Sequence, residues 1–149
     1  MIAVPVPWVF VLAYLCGVAI DVAFPLRPPL EMMTVVKLAG GVLFVAGAVI
    51  AGWGWIMFWK AHTTRVPGEA SSSLVTHGPY RYMRNPMYVG LTLAYLGEAG
   101  MLTQIWPLLF LPLVLFYLNR VVIPLEEQKL TEVFGSAYDE YRRRVHRWI

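Results

Sequence analysis

The chain has 149 residues, of which 58% are hydrophobic and only 14% are charged, and its mean hydropathy is +0.60. This balance excludes an ordinary soluble domain of the same length, which buries only part of its surface, and predicts an integral membrane protein. The formal net charge of +3 does not indicate a nucleic-acid partner, because the basic residues flank apolar segments, as membrane orientation signals do.

Two apolar segments in the first part of the chain predict a helical hairpin. They cover about residues 4–24 and 34–59, close to the roughly 20 residues that a membrane span needs, and a proline-rich turn at 25–29 joins them. The second segment carries two pairs of small residues spaced four apart, which predict that a neighbouring helix approaches closely: Gly47 with Ala51, and Ala48 with Gly52.

A polar segment separates this hairpin from a second one. Residues 60–85 are rich in Arg, His, Ser, Gly and Pro, which predicts an interfacial or aqueous loop because such a segment cannot cross lipid. The Asn-Pro pair at 85–86 is typical of an N-cap and a first helical position, and predicts a third helix over 86–102. A turn at 103–104 leads to a fourth helix over 105–123. The third helix is short, so we expect it to cross only part way or at a slant.

The chain becomes polar again after Pro124. Its apolar side chains now recur at three- and four-residue spacing, which predicts an amphipathic helical tail that lies on the membrane or on the protein. Gly135 is predicted to break the tail into two pieces. Ser136 and Asp139 have the spacing of a capping box that restarts the second piece.

The positions of lysine and arginine predict the orientation. Only Arg27 and Lys37 fall on the membrane side opposite the central loop and the tail. Because cytoplasmic segments are enriched in these residues, we expect both termini, the central loop and the tail to be cytoplasmic. The predicted fold is an all-α integral membrane protein with about four transmembrane helices in two hairpins and an amphipathic C-terminal helical tail.

Polar and aromatic residues are dense in residues 74–90, whose sequence is Leu-Val-Thr-His-Gly-Pro-Tyr-Arg-Tyr-Met-Arg-Asn-Pro-Met-Tyr-Val-Gly. One interpretation makes the tyrosines an interfacial aromatic belt and the arginines lipid-headgroup anchors. However, Glu126 and Glu127 follow the last apolar segment on the same side of the membrane. Two adjacent carboxylates at a bilayer edge are costly unless they are solvated or bind a cation, which favours a functional site.

These residues resemble a known family. The loop is similar to the pattern Leu-Val-Thr-x-Gly-x-Tyr, four residues, His-Pro-x-Tyr-x-Gly of the isoprenylcysteine carboxyl methyltransferases and the related phospholipid N-methyltransferases. The tail carries residues similar to the family's second set, at the same spacing: Glu126-Glu127, Phe134-Gly135, Tyr138, Tyr141 and Val145. The resemblance covers about the last eighty residues, and both halves occur in register.

The resemblance implies an S-adenosyl-L-methionine-dependent methyltransferase with a cytoplasmic active site and a lipophilic small-molecule or lipidated acceptor. The chain would form one domain, in which 1–59 is the N-terminal hairpin and 60–149 is the cofactor-binding catalytic core. Carried over by position, the cofactor pocket would use the following residues: Ser72, Ser73, Leu74, Val75, Tyr80, Asn85, Pro86, Met87, Tyr88 and Glu126.

The chemistry of these side chains agrees with much of this implied pocket. Aromatic faces at Tyr80 and Tyr88 suit the sulfonium cation, and the helix start at Asn85 suits the cofactor carboxylate. Glu126 suits the ammonium group or the ribose hydroxyls.

The candidates for catalysis are Asn85 and His77. Asn85 stands where the family's pattern usually has histidine, so it offers an amide for hydrogen bonding but no imidazole. His77 is the nearest candidate base, and the alternative is a loop histidine that caps the chain or faces solvent. An amine acceptor must lose a proton, whereas a carboxylate or thiolate acceptor needs no base. Arg120 is a candidate contact for an anionic acceptor head, or a snorkelling arginine that sets orientation.

No metal site is predicted, because Cys16, His62 and His146 have no ligand partners at useful spacing. Asp21 and Glu98 lie in apolar segments near predicted helix ends, where an interfacial position is the simpler interpretation. Three acceptors stay open at this point: the carboxylate of an isoprenylated cysteine, the amine of a phospholipid headgroup and a small thiol. A different class of function is a lipid-binding membrane module that has kept the fold.

Overall fold

The computed structural model describes residues 6–63 and 74–149, and this part of the chain is helical and contains no strand. Two consecutive helices precede the central loop, and the rest follow a short 3₁₀ helix. The elements in chain order are α1 (Val6–Ala23), α2 (Leu30–Thr63), the 3₁₀ helix (Gly78–Arg81), α3 (Pro86–Met101), α4 (Trp106–Tyr117), a π-helical segment (Leu118–Val122), α5 (Ile123–Phe134) and α6 (Ser136–Arg144).

Three helical stretches are long and apolar enough to cross a membrane: Val6–Ala23, Leu30–Met57 and Trp106–Phe134. Helix α3 has 16 residues and is about 24 Å long, which is less than the roughly 30 Å hydrocarbon core. Large apolar side chains on α1, α2 and α4 are exposed, as helices that face lipid require. The membrane character predicted from composition therefore agrees with the structure.

The fourth predicted helix does not end at residue 123. It continues through the π-helical segment and α5 as far as Phe134. Pro124 lacks an N–H group and its ring crowds the carbonyl four residues earlier, which would break a regular α-helix. The wider turn of the π segment, which ends two residues before Pro124, relieves this conflict and lets the chain stay helical. Glu126 consequently lies about 20 residues, or about 30 Å, along this rod from Trp106.

Helices α2 and α3 pack through glycines that bring their backbones together. Gly40, Gly47 and Gly54 recur every seven residues, or nearly two turns, so they lie on one face of α2. A β-carbon added at Gly90 of α3 would lie 2.5 Å from the nitrogen of Ala51, which no real side chain tolerates. The predicted close approach is confirmed for Gly47 and Ala51.

The second predicted small-residue pair is wrong. A β-carbon at Gly52 would meet nothing within 4 Å, and Ala48 is exposed. These residues lie on a different face of α2 from Gly47, because successive residues of a helix are rotated by about 100°. The main packing surfaces join α2 to α3 and α1 to α4, so the helices within each predicted hairpin are not the ones that pack most closely.

The contact between α1 and α4 is close at Gly17, whose added β-carbon would clash with the backbone of Pro107. Beside it, the rings of Tyr14 and Tyr95 stack edge to face with centroids 5.0 Å apart. The Tyr95 hydroxyl donates to the Pro107 carbonyl at 2.7 Å. Helices α1, α3 and α4 therefore share one core.

The end of the molecule near the α1–α2 connection is closed by polar contacts, and we call it the far end. The buried Asp21 carboxylate pairs with Arg27 at 2.6 Å, and the Trp106 indole donates to the Phe24 carbonyl at 2.6 Å. Glu98 is exposed near the end of α3. These contacts give Asp21 a structural role in joining α1 to the following turn.

The tail breaks at Gly135, as predicted, because this glycine adopts a positive φ of 54° between α5 and α6. The predicted capping box is wrong. Gly135 occupies the N-cap position of α6, which leaves Ser136 as the first helical residue, with no side-chain capping bond. The Gly135 carbonyl instead accepts from the N–H groups of Tyr138 and Asp139.

Candidate active site

The site begins with the turn that leads into the 3₁₀ helix. Gly78 has a positive φ of 62°, and a β-carbon there would crowd Met57 and Trp53 of α2. Pro79 follows at the start of the 3₁₀ helix and is buried. This glycine allows the sharp entry that turns the loop onto the end of α2. Leu74 and Val75 precede the turn and are half-buried, whereas Ser72 and Ser73 lie outside the described residues.

Tyr80 is held from both sides. Its hydroxyl donates to the Gly54 carbonyl at 3.5 Å, and its own carbonyl accepts from the Tyr141 hydroxyl at 2.7 Å. Burial raises the pKa of Tyr80 to about 12, and the nearby charge of Glu126 adds to this effect. The phenol is therefore neutral at physiological pH and presents an uncharged aromatic face.

Asn85 occupies the N-cap position of α3 and the buried Pro86 is the first helical residue, as predicted. The Asn85 side chain does not cap the helix. Its amide Nδ2 donates to the Arg147 carbonyl at 3.1 Å, and its backbone N–H donates to the same oxygen at 3.2 Å. The Asn85 side chain thus binds a C-terminal residue instead of capping α3.

Tyr88 and Glu126 join the two halves of the sequence pattern. The buried Tyr88 hydroxyl donates to Glu126 Oε1 at 2.5 Å across 38 residues of chain, whereas the Glu126 side chain remains exposed. Met87 is half-buried and packs against Gly54 of α2. The structure therefore brings the helix start, the end of α2 and the first glutamate of α5 to one place.

Glu127 is the residue that sequence analysis left without a role. Its side chain is only 12% exposed, and Arg84 NH1 lies 2.9 Å from Oε1. Arg147 binds the carboxylate through two contacts, Nε to Oε1 at 2.8 Å and NH2 to Oε2 at 2.6 Å. Arg84 also donates to the Tyr138 hydroxyl at 3.3 Å. The adjacent pair of glutamates was the signal in the sequence for a functional site. The arginine partners of Glu127 lie 43 residues before it and 20 residues after it.

Two further predicted residues stand apart from this cluster. His77 is exposed, has extended backbone and makes no side-chain capping bond to the 3₁₀ helix, so it faces solvent. Arg120 is exposed in the π segment, and its guanidinium lies 5.5 Å from the centre of the Phe116 ring. Within residues 6–63 and 74–149, no group of three or more His, Cys, Asp or Glu side chains has the arrangement of a metal site.

The sequence model of the phospholipid methyltransferase family matches residues 35–137, which is more than half of the chain. The chain belongs to this family. The matched range contains the site residues from Tyr80 to Glu127, and Arg147 lies beyond it. The two halves of the sequence pattern that meet at the Tyr88–Glu126 hydrogen bond are therefore both part of the family match.

Curated proteins that are similar to the chain carry the name protein-S-isoprenylcysteine O-methyltransferase. The chain is 33% identical over 123 residues to a probable protein-S-isoprenylcysteine O-methyltransferase of Oryza sativa subsp. indica, covering 81% of this chain and 64% of that protein. It is 30% identical over 122 residues to protein-S-isoprenylcysteine O-methyltransferase A of Arabidopsis thaliana, covering 80% and 62%. A Schizosaccharomyces pombe protein-S-isoprenylcysteine O-methyltransferase is 39% identical over 72 residues, covering 48% and 30%.

The chain spans less than two thirds of the length of these curated relatives. No solved structure matches the chain.

Proposed function

We propose that this family member is an S-adenosyl-L-methionine-dependent membrane methyltransferase with a lipophilic acceptor, in the manner of the protein-S-isoprenylcysteine O-methyltransferases. The observation that carries the proposal is the hydrogen bond from Tyr88 to Glu126, which joins the helix start of α3 to α5. This contact lies about one hydrocarbon thickness from Trp106, so a ligand there would sit at the membrane edge.

The side chains at this place suit the cofactor. Glu126 is exposed and accepts a hydrogen bond from the neutral Tyr88 hydroxyl, and we expect its carboxylate to bind a cationic ammonium or ribose hydroxyls. Tyr80 and Tyr88 provide aromatic faces beside it. The amide of Asn85 supplies a further polar group at the start of α3, and Leu74, Val75, Pro86 and Met87 are proposed as the apolar part of the pocket.

The chemistry asks little of the protein. S-adenosyl-L-methionine supplies an activated methyl group on a sulfonium sulfur. The protein needs to align the acceptor atom with that methyl carbon and to exclude water. A carboxylate acceptor attacks without losing a proton, so Asn85 and Glu126 would act by binding and orientation. The exposed position of His77, the nearest candidate base, suits an acceptor of this kind.

A second candidate function is N-methylation of a phospholipid headgroup, which the name of the matching family favours. The amine of such an acceptor must lose a proton, and His77 is then the proposed base. Arg120 would contact an anionic acceptor head in either case. Methylation of a small thiol is a third alternative, and a lipid-binding module without activity is a fourth.

We further propose four crossings, by α1, α2, α3 and the α4–α5 rod, in one domain with residues 60–149 as the catalytic core. Both termini and the site would face the cytoplasm. The basic residues Arg84 and Arg147 lie at the Glu126 end, whereas Arg27 lies at the far end, which supports this orientation. Cysteines placed at Ser136 and Pro28 should label from opposite faces of sealed vesicles. Labelling of both from one face would contradict the orientation.

Binding of S-adenosylhomocysteine to the purified protein in detergent, measured by calorimetry, tests the cofactor proposal. Glu126→Gln should weaken binding about tenfold or more, because an ionised partner is replaced by a neutral one. Glu132→Gln on the same helix is the control, since Glu132 is exposed and pairs only with Gln128 at 2.9 Å among the described residues. Equal affinity of wild type and Glu126→Gln would remove Glu126 from the site.

The acceptor is tested with labelled cofactor and three probes, an N-acetylated S-prenylcysteine, phosphatidylethanolamine and a small water-soluble thiol. The leading proposal expects label on the prenylcysteine carboxylate. Label on phosphatidylethanolamine that His77→Ala abolishes would establish the second candidate instead. Binding of S-adenosylhomocysteine with no transfer to any of the three acceptors would favour the module without activity.

A further inference from the structure

The last residues of the chain cross the start of α3. We call residues 145–149 the C-terminal strap. Its His146 carbonyl accepts from the backbone N–H of Arg84 at 2.8 Å, and a parallel bridge pairs Met83 with His146. The Arg147 carbonyl accepts two hydrogen bonds from Asn85, one from the backbone and one from the side-chain amide. The strap therefore follows the three residues that lead into α3.

Side chains fasten the strap to two other elements. The Arg147 guanidinium binds both oxygens of Glu127 on α5 in a fork, at 2.8 and 2.6 Å. The Trp148 indole donates to Asn119 of the π segment at 3.0 Å. Two-pronged arginine–carboxylate contacts fix direction as well as distance, so the strap sets the relative positions of α3, α5 and the π segment.

The strap fixes the orientation of the Asn85 side-chain amide. Only the NH₂ group of an amide can donate to a carbonyl, so the bond to Arg147 assigns Nδ2 to the strap side. The Oδ1 oxygen is then turned away from the Arg147 carbonyl. In this orientation, Oδ1 is the amide atom that would accept from a cationic or hydroxyl-bearing ligand.

The strap also gives Glu126 and Glu127 different roles. Consecutive residues on a helix point about 100° apart, so fixing Glu127 fixes the direction of Glu126. Glu127 is occupied by the positive charges of Arg84 and Arg147, which leaves Glu126 as the exposed carboxylate next to Tyr88. An α5 that turned about its own axis would carry Glu126 away from that tyrosine.

We infer that Arg147 is a positioning residue: through its carbonyl on Asn85 and its guanidinium on Glu127, it orients the two polar groups of the proposed cofactor site. The inference rests on the proposed function, because the orientation matters only for a ligand bound there. Arg147 lies outside the range that the family model matches.

The test is a double-mutant cycle on S-adenosylhomocysteine affinity, with Arg147→Gln, Glu127→Gln and the double variant in detergent. Each single change should weaken binding about tenfold, because misplaced groups lose much of their contribution. The double variant should be no weaker than the weaker single variant, since both act through one contact. Where transfer is measured, KM for the cofactor should rise more than kcat falls. Arg144→Gln, which removes an exposed pair with Glu140, should bind like wild type.

The outcomes separate the two claims. Lack of S-adenosylhomocysteine binding by wild type would overturn the proposed function and this inference with it. Wild-type affinity in folded Arg147→Gln protein, or losses that multiply in the double variant, would overturn the positioning role alone. Arg147→Lys keeps the positive charge but cannot form the two-pronged contact with Glu127. This variant tests the positioning role where the glutamine variants do not fold. It should bind about threefold more weakly, and affinity equal to wild type would reject the inference.

Discussion

The α2–α3 interface and the cluster around Glu127 hold different parts of the molecule together, and they do so by different physics. Between α2 and α3, glycines at 40, 47, 90 and 97 let backbone meet backbone, and the attraction comes from close packing. Around Glu127, two arginines converge on one carboxylate and join α5 to the start of α3 and to the chain end. The first region is sensitive to volume, and the second is sensitive to charge and direction.

This difference follows from where each region lies. Lipid offers helices no hydrophobic driving force to associate, so only shape can select the partner face of α2. The Glu127 cluster lies at the proposed membrane edge, where charges would cost less and direction can be fixed by forked hydrogen bonds. Ligand affinity should therefore depend on the Glu127 cluster and not on the α2–α3 interface, and substitutions should separate the two regions.

The largest effect is expected for Glu127→Ala. It leaves Arg84, whose side chain is 11% exposed, without its carboxylate, and breaking one side of a buried ion pair costs about 3–5 kcal/mol. Unfolding in mixed micelles would measure this loss. Glu140→Ala is the matched control on α6, because its pair with Arg144 is exposed on both sides. A similar loss in both variants would show that the cluster is no more important than a surface pair.

The next effect is expected for Gly47→Ala, which tests the interface by volume alone. The added methyl group overlaps the backbone of α3 at Ala94, and overpacking of this kind costs about 1–3 kcal/mol. Gly52→Ala on the same helix meets nothing within 4 Å and should gain up to about 1 kcal/mol from better helix propensity. Thermal unfolding of the two variants should therefore move in opposite directions.

A smaller effect is expected for Tyr88→Phe, which removes one hydrogen bond from the site while keeping the ring. Unfolding free energy should fall by about 1 kcal/mol. S-adenosylhomocysteine should bind more weakly, because Glu126 loses the hydrogen bond that orients its carboxylate. Tyr95 lies farther along α3, and Tyr95→Phe removes a comparable hydrogen bond, the one from its hydroxyl to the Pro107 carbonyl. It should lower stability without changing ligand affinity. Equal affinity losses in both variants would contradict the separation of bundle and site.

The smallest effect is expected for Arg142→Gln. Its pair with Asp139 spans 3.3 Å, and both side chains are more than 40% exposed. Exposed pairs contribute about 0.2–1 kcal/mol, so the unfolding midpoint should barely move. A loss comparable to that of Glu127→Ala would mean that the arginines of α6 share in the buried cluster.

Local sequence signals predicted the helices well. The start of α3 at Asn85 and Pro86 and the break at Gly135 follow from backbone preferences that these residues carry anywhere. The two halves of the site were also predicted to meet, and Tyr88 contacts Glu126. The glycine pairs were only half right, because spacing identifies small residues but not which face of α2 meets a partner.

The remaining features depend on contacts between distant residues. The partners of Glu127 lie 43 residues before it and 20 after it, and no local pattern links them. Asn85 was expected to cap its own helix, but the Arg147 carbonyl engages its amide instead. Pro124 suggested a helix end, but the helix continues because a π segment accommodates the proline. Such a segment leaves no clear mark in the sequence.

The π segment at Leu118–Val122 changes the directions in which side chains point before and after it along one continuous helical rod. Each inserted residue turns everything downstream by about 100° relative to everything upstream. Leu111 and Val114 on α4 can therefore lie in the buried core while Glu126 on α5 contacts Tyr88, although a single regular helix would tie these directions together. The angular setting of the site is thus encoded by the length of a five-residue segment, independently of the side chains that it orients.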